Sequence, residues 1–179
     1  MHILRSQQFS REALEALIKR THEIHMQLTG SIGSRSLLRE RFAGKTLCNA
    51  FFAPSLRTRK SFDAAGNRLG MHIFSIQTVE QFSSEYPNRG ETLEDTILTL
   101  CELDTDLIVL RWPEEGAAER AARVSSVPII NGGDGKGQHP TQATLDVGYI
   151  YEVFGRVDGL TVVIGGDLAY GRTARSLAY

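Results

Sequence analysis

Four short stretches carry side chains able to hold an anion or polarise a carbonyl group. Ser55-Leu56-Arg57-Thr58-Arg59 sets two hydroxyls and two guanidiniums within five positions. If a helix opens there, free backbone N–H groups and the positive end of its dipole join them, which makes a phosphate cradle. A capped helix with solvated arginines is the alternative. Arg111 directly follows the apolar run Asp106–Leu110 (DLIVL). A charge at the end of a buried strand is costly unless paired or functional, although a surface arginine fits the same place. Asn131–Gln142 reads NGGDGKGQHPTQ. Its glycines permit positive φ and close backbone approach. His139 precedes a proline at a helix start, which holds it extended and aims it at the strand-end crevice, with Gln142 one turn later. A structural histidine is the bland alternative. Finally, Gly165-Gly166-Asp167 is followed by Tyr170, Gly171, Arg172 and Thr173, a glycine turn without the GxGxxG spacing of a nucleotide site.

The elements that must position these residues follow from periodicity. Ser10 caps an amphipathic helix that runs to Gly30, and a shorter helix is expected over Leu37–Phe42. Strands are expected at Thr46–Phe52, His72–Ile76, Asp106–Leu110, Val127–Ile130 and Leu160–Ile164. Helices are expected at Arg57–Leu69, from Thr92 onward, at Glu114–Val124, at Pro140–Phe154 and from Arg172. Thr78–Arg89 is polar and irregular, a long loop. Short apolar strands without alternation, each followed by a helix, predict a doubly wound α/β fold with helices on both faces of a parallel sheet. In such a sheet ligands bind beyond the carboxyl ends of the strands, where all four stretches fall. The strand at Leu160 would begin the first β-α unit of a second, similar domain. The expected division is therefore 1–153 and 154–179, within a chain that is part of a longer one.

Composition narrows the function. The 179 residues are 41% hydrophobic and 23% charged, which excludes disorder. A net charge of −1 gives no global field for nucleic acid or an anionic membrane, so neither is an expected partner. Cys48 and Cys101 lie in apolar segments without CxxC spacing, pointing to buried thiols and a reducing, cytoplasmic setting. No His, Cys and carboxylate cluster has metal-ligand spacing, so neither metal nor cofactor is expected.

Taken in order, these stretches resemble the aspartate/ornithine carbamoyltransferase family over nearly the whole chain. FFAPSLRTRKSF resembles the family's carbamoyl-phosphate signature. Leu110-Arg111 with Pro113, Glu115 and Gly116 resembles its strand-end arginine segment, and His139-Pro140-Thr141-Gln142 with Leu145-Asp146 its HPTQ…LLD motif. Gly166-Asp167-Leu168-Ala169-Tyr170-Gly171-Arg172-Thr173 resembles GDLKYGRT of the family's aspartate branch. The resemblance implies transfer of a carbamoyl group from carbamoyl phosphate to the amine of L-aspartate, without cofactor, in a homotrimer with shared sites. It implies that Ser55, the backbone at Leu56, Arg57 and Thr58 hold the phosphate. Thr58, Arg111 and His139 then contact the carbonyl oxygen, Gln142 the carbamoyl NH₂, and Arg172 an aspartate carboxylate.

Several positions depart from the family pattern. The loop that enters a neighbouring site carries Glu85 and Arg89 where the family has serine and lysine. Arg89 is expected to keep the charge toward substrate, whereas Glu85 sets a carboxylate beside the phosphate. Leu56 and Ala169 replace a threonine and a lysine. Two further readings follow: a catalytically silent homologue that serves as a scaffold, or a carbamoyltransferase for another amine acceptor.

Overall fold

The computed structural model describes residues 1–77, 91–166 and 168–179. Glu85, Arg89 and Asp167, on which sequence expectations fell, lie outside these described residues. Strands β1 (Thr46–Phe51), β2 (His72–Gln77), β3 (Leu107–Trp112) and β4 (Ile129–Asp134) form one parallel sheet in the order β2-β1-β3-β4. The helices are α1 (Arg11–Thr29), α2 (Ile32–Glu40), α3 (Leu56–Leu69), α4 (Leu93–Glu102), α5 (Ala117–Val124), α6 (Pro140–Phe154) and α7 (Arg172–Ala178). Ile3 makes a parallel bridge to Ile130, so the N-terminal segment lies along the outer edge of β4.

Alternate residues of each strand feed two cores. Cys48, Ala50, Ile108, Leu110 and Ile129 pack with Leu93, Ile97 and Leu100 of α4 and Ala117 and Ala121 of α5. Leu47, Phe51 and Val109 pack on the opposite face against Phe62 of α3. Both faces are thus covered, which is why the strands read as continuous apolar runs. The order reverses direction between β1 and β3, where Phe51 pairs with Arg111. That switch point opens the crevice in which an open α/β sheet binds ligands.

Local signals account for most element ends. Ser10 accepts from the N–H of Ala13, and Thr92 and Asp95 form a reciprocal capping box on α4. Gly70 and Gly155 end α3 and α6 in left-handed conformations.

Three elements differ from the sequence expectation. The second helix starts earlier, at Ile32, because Ser31 caps it by accepting from the N–H of Ser34. Strand β4 continues through Asn131-Gly132-Gly133-Asp134 instead of stopping at Ile130. Glycine is needed there, since a Cβ on Gly132 would sit 3.3 Å from the Leu110 carbonyl oxygen of β3. Leu160–Ile164 is not a strand: no described strand pairs with it, and Val163 is 89% exposed. Cys48 is buried, as expected, and burial pushes its thiol up to about 12, whereas Cys101 is only half-buried. Among the described residues no helix is long and apolar enough to cross a membrane.

Candidate functional site

The first turn of α3 springs from the end of β1. Asn49, fully buried in β1, donates from Nδ2 to Asp63 Oδ1 at 2.7 Å, and Ser75 of β2 donates to the same oxygen at 3.4 Å. Burial alone would raise the Asp63 carboxyl, but hydrogen bonds from Lys60 and Asn49 outweigh it and hold it below the ordinary range. This anchor fixes α3 over β1 and β2. Ser55 occupies the N-cap position with an extended backbone, yet its hydroxyl does not cap the helix. Ser55 thus leaves the first-turn amides uncapped, whereas an exposed Arg57 fits the solvated-arginine alternative as well. Arg57 and Leu56 project outward, while Thr58 and Arg59 are half-buried.

Thr58 turns toward the exit of β4. Its Oγ1 lies 3.3 Å from His139 Nε2, and Thr141 Oγ1 lies 3.2 Å from His139 Nδ1. His139 is 6% exposed, and its own N–H donates to the Ser176 hydroxyl of α7 at 2.8 Å. Burial, then the charges of Arg111 and Arg172, push the imidazole down to about 4, so it is neutral at pH 7.

Arg111 enters from β3. By alternation it follows Leu107 and Val109 onto the face covered by α3. Its Nη1 donates to the Gly132 carbonyl at 2.9 Å, while its buried Nε has no partner among the described residues. Burial and then the charge of Arg172 lower it to about 10, still cationic at pH 7. The two guanidiniums meet over Gly133, where an added Cβ would stand 2.7 Å from Arg111 Nη1 and 3.1 Å from Arg172 Nη1. Among the described residues no carboxylate forms an ion pair with Arg57, Arg111 or Arg172. Two like charges held together without a carboxylate make a site suited to an anion.

Thr58, Arg111, His139 and Arg172 are thus brought together from four segments. Gln142, in the first turn of α6, instead donates to Asp146 Oδ1 at 2.9 Å. Arg57 is exposed in the first turn of α3. Sequence reasoning assigned no role to Ser176 or Thr141. Thr141 was visible within the HPTQ stretch. Ser176 carries no local signal, because its importance arises from the docking of α7 against α6 and the loop before it.

These are the features of an anion-suited crevice at the switch point of a doubly wound domain. The chain belongs to the aspartate/ornithine carbamoyltransferase family: residues 1–152 match the model of its carbamoyl-P binding domain. It is 47% identical over 178 residues to the chloroplastic aspartate carbamoyltransferase of Oryza sativa subsp. japonica, covering 99% of this chain and 48% of that one. It is 45% identical over 170 residues to the aspartate carbamoyltransferase catalytic subunit of Thermococcus kodakarensis, covering 95% and 52%. Among solved structures it superposes on the Trypanosoma cruzi aspartate transcarbamoylase in complex with carbamoyl phosphate and aspartate. That match has a TM-score of 0.86 at 38% identity and covers 99% of this chain and 52% of that one. The chain spans about half the length of the curated relatives it matches.

Proposed function

We propose that the chain binds carbamoyl phosphate and serves the transfer of its carbamoyl group to the α-amine of L-aspartate. The products are N-carbamoyl-L-aspartate and phosphate, a step of pyrimidine biosynthesis. The observation that carries this reading is the Thr58–His139 contact beside the Arg111–Arg172 pair. It supplies donors for a carbonyl oxygen and a cation for a carboxylate in one crevice, beside the start of α3.

Ser55, the N–H at Leu56, Arg57 and Thr58 hold the phosphate at the N-terminus of α3. Thr58, Arg111 and His139 donate to the carbonyl oxygen. We assign Thr141 as the donor to Nδ1, 3.2 Å away, which leaves the proton of the neutral imidazole on Nε2, facing Thr58 and the cleft. The amine lone pair attacks the carbonyl carbon, and negative charge grows on the oxygen against these donors. The C–O bond to phosphate then breaks, and the amine proton leaves with solvent or phosphate. Gln142 turns from Asp146 to the carbamoyl NH₂, and Arg172 takes an aspartate carboxylate, a role the family resemblance also gives to Arg89. Holding both substrates in line supplies much of the remaining rate.

The reading includes a homotrimer with shared sites and a reducing, cytoplasmic compartment, the latter supported by two free cysteines. It also includes a boundary near residue 153, supported by the family match ending at 152. Glu85 favours a second reading, a silent homologue. Incubation with labelled carbamoyl phosphate and L-aspartate tests both. Labelled N-carbamoyl-L-aspartate supports transfer. Carbamoyl-phosphate binding without product supports the silent homologue, and product only with another amine moves the acceptor.

A further inference from the structure

Asn131 and Asp134 are 1% and 6% exposed, and no step above uses them. Their hydrogen bonds run to every segment that carries a carbonyl-facing residue except α3. Asp134 Oδ1 accepts from the N–H of Gln138, the residue before His139, at 2.9 Å, and from Asn131 Nδ2 at 3.1 Å. Asp134 Oδ2 accepts from the N–H of Gly116, in the connection that follows Arg111, at 3.0 Å. Asn131 Oδ1 accepts from the N–H of Gly133 at 2.8 Å, which fixes the glycine pair whose Gly132 carbonyl receives Arg111. Asn131 Nδ2 also donates to the Leu4 carbonyl at 2.9 Å, tying the knot to the N-terminal segment.

We infer that Asp134 is a positioning residue whose buried carboxylate sets the spacing of Arg111 and His139. Its charge is met by three N–H donors and by neither arginine, so both guanidiniums keep their charge for the ligand. The two oxygens receive donors from opposite sides. An amide of the same shape offers one accepting oxygen and turns an NH₂ against an N–H. The packing is tight as well: a Cβ on Gly137 would lie 2.6 Å from Asp134 Oδ1.

This inference rests on the carbamoyl-phosphate reading and predicts a selective defect. Inorganic phosphate needs the first turn of α3, which Asp134 does not touch. Carbamoyl phosphate also needs Arg111 and His139 in register. Calorimetry with both ligands on wild type and Asp134→Asn separates the two, with thermal melting to verify folding. The variant is expected to lose about tenfold or more in carbamoyl-phosphate affinity while phosphate affinity stays within about twofold. A folded variant with an unchanged ratio of the two affinities overturns the inference alone, and a wild type that binds neither ligand overturns the reading beneath it as well. Should Asp134→Asn not fold, the wild-type amide resonances of Gly116 and Gln138 decide. Shifts with carbamoyl phosphate and not with phosphate support the inference, and shifts with both or with neither overturn it.

Discussion

The hydroxyl of Thr58 stands 3.3 Å from Nε2 of His139 although the two lie 81 positions apart. One belongs to the first turn of α3, the other to the loop entering α6. Their meeting joins the uncapped start of α3 to the exit of β4, so a ligand held at one would be presented to the other.

Removal of the Arg57 guanidinium should weaken carbamoyl-phosphate binding. A hydrogen bond to a charged group contributes about 1.5–3 kcal/mol, or roughly ten- to a hundredfold in affinity. Arg57 is exposed and forms no ion pair among the described residues, so Arg57→Ala should melt with the wild type. Titration and melting on the same sample check both halves, and an unchanged affinity sinks the assignment.

His139 should act on the transition state more than on ground-state binding, because charge grows on the carbonyl oxygen only during attack. Loss of one such donor lowers kcat by about 10²–10³. His139→Ala is expected to show that fall with a smaller change in carbamoyl-phosphate affinity. Equal losses in rate and affinity would make the histidine structural.

The same imidazole gives a pH dependence whose sign is fixed. Its folded value of about 4 lies below the ordinary 6.5 because of burial and the two arginines. Between these values the unfolded chain binds the extra proton, so acid favours unfolding. The stability involved is intact above about pH 6.5 and is lost as pH falls toward 4, about 3 kcal/mol in all. Urea unfolding of wild type and His139→Gln across that window should show the gap narrowing on the acid side. A His139 proton resonance titrating near 6.5 would contradict the burial.

Gly133 combines a φ of +112° with the approach of both arginines, so a side chain there meets strain and displaces charge. Gly133→Ala should lower stability by about 1–3 kcal/mol and weaken carbamoyl-phosphate binding. Gly148, in α6, has nothing within 4 Å of an added Cβ. Gly148→Ala should leave binding intact and melt at or above the wild type.

Much of this architecture is legible locally. Ser10, Thr92 and Gly155 mark element ends because caps act within one turn, and Arg111 and His139 stand out because polar groups follow apolar strands. What local pattern cannot reveal is decided by packing. Asn131–Asp134 reads as a glycine-rich loop, yet its small residues let it lie against β3 as strand, and Asp134 finds Gly116 only because two connections meet. Leu160–Ile164 has strand composition, and composition does not supply a neighbouring strand. Arg172 reaches Arg111 through the docking of α7, sealed by the Ser176–His139 bond, which no spacing in the sequence encodes.

The central claim is that the start of α3 and the Arg111–His139 pair form one site for carbamoyl phosphate. Calorimetric titration of the wild-type chain with carbamoyl phosphate and with inorganic phosphate tests it most directly. The account predicts saturable binding of one carbamoyl phosphate per chain, tighter than phosphate because the carbonyl adds donors from Arg111 and His139. No carbamoyl-phosphate binding, or equal affinity for the two ligands, would contradict it.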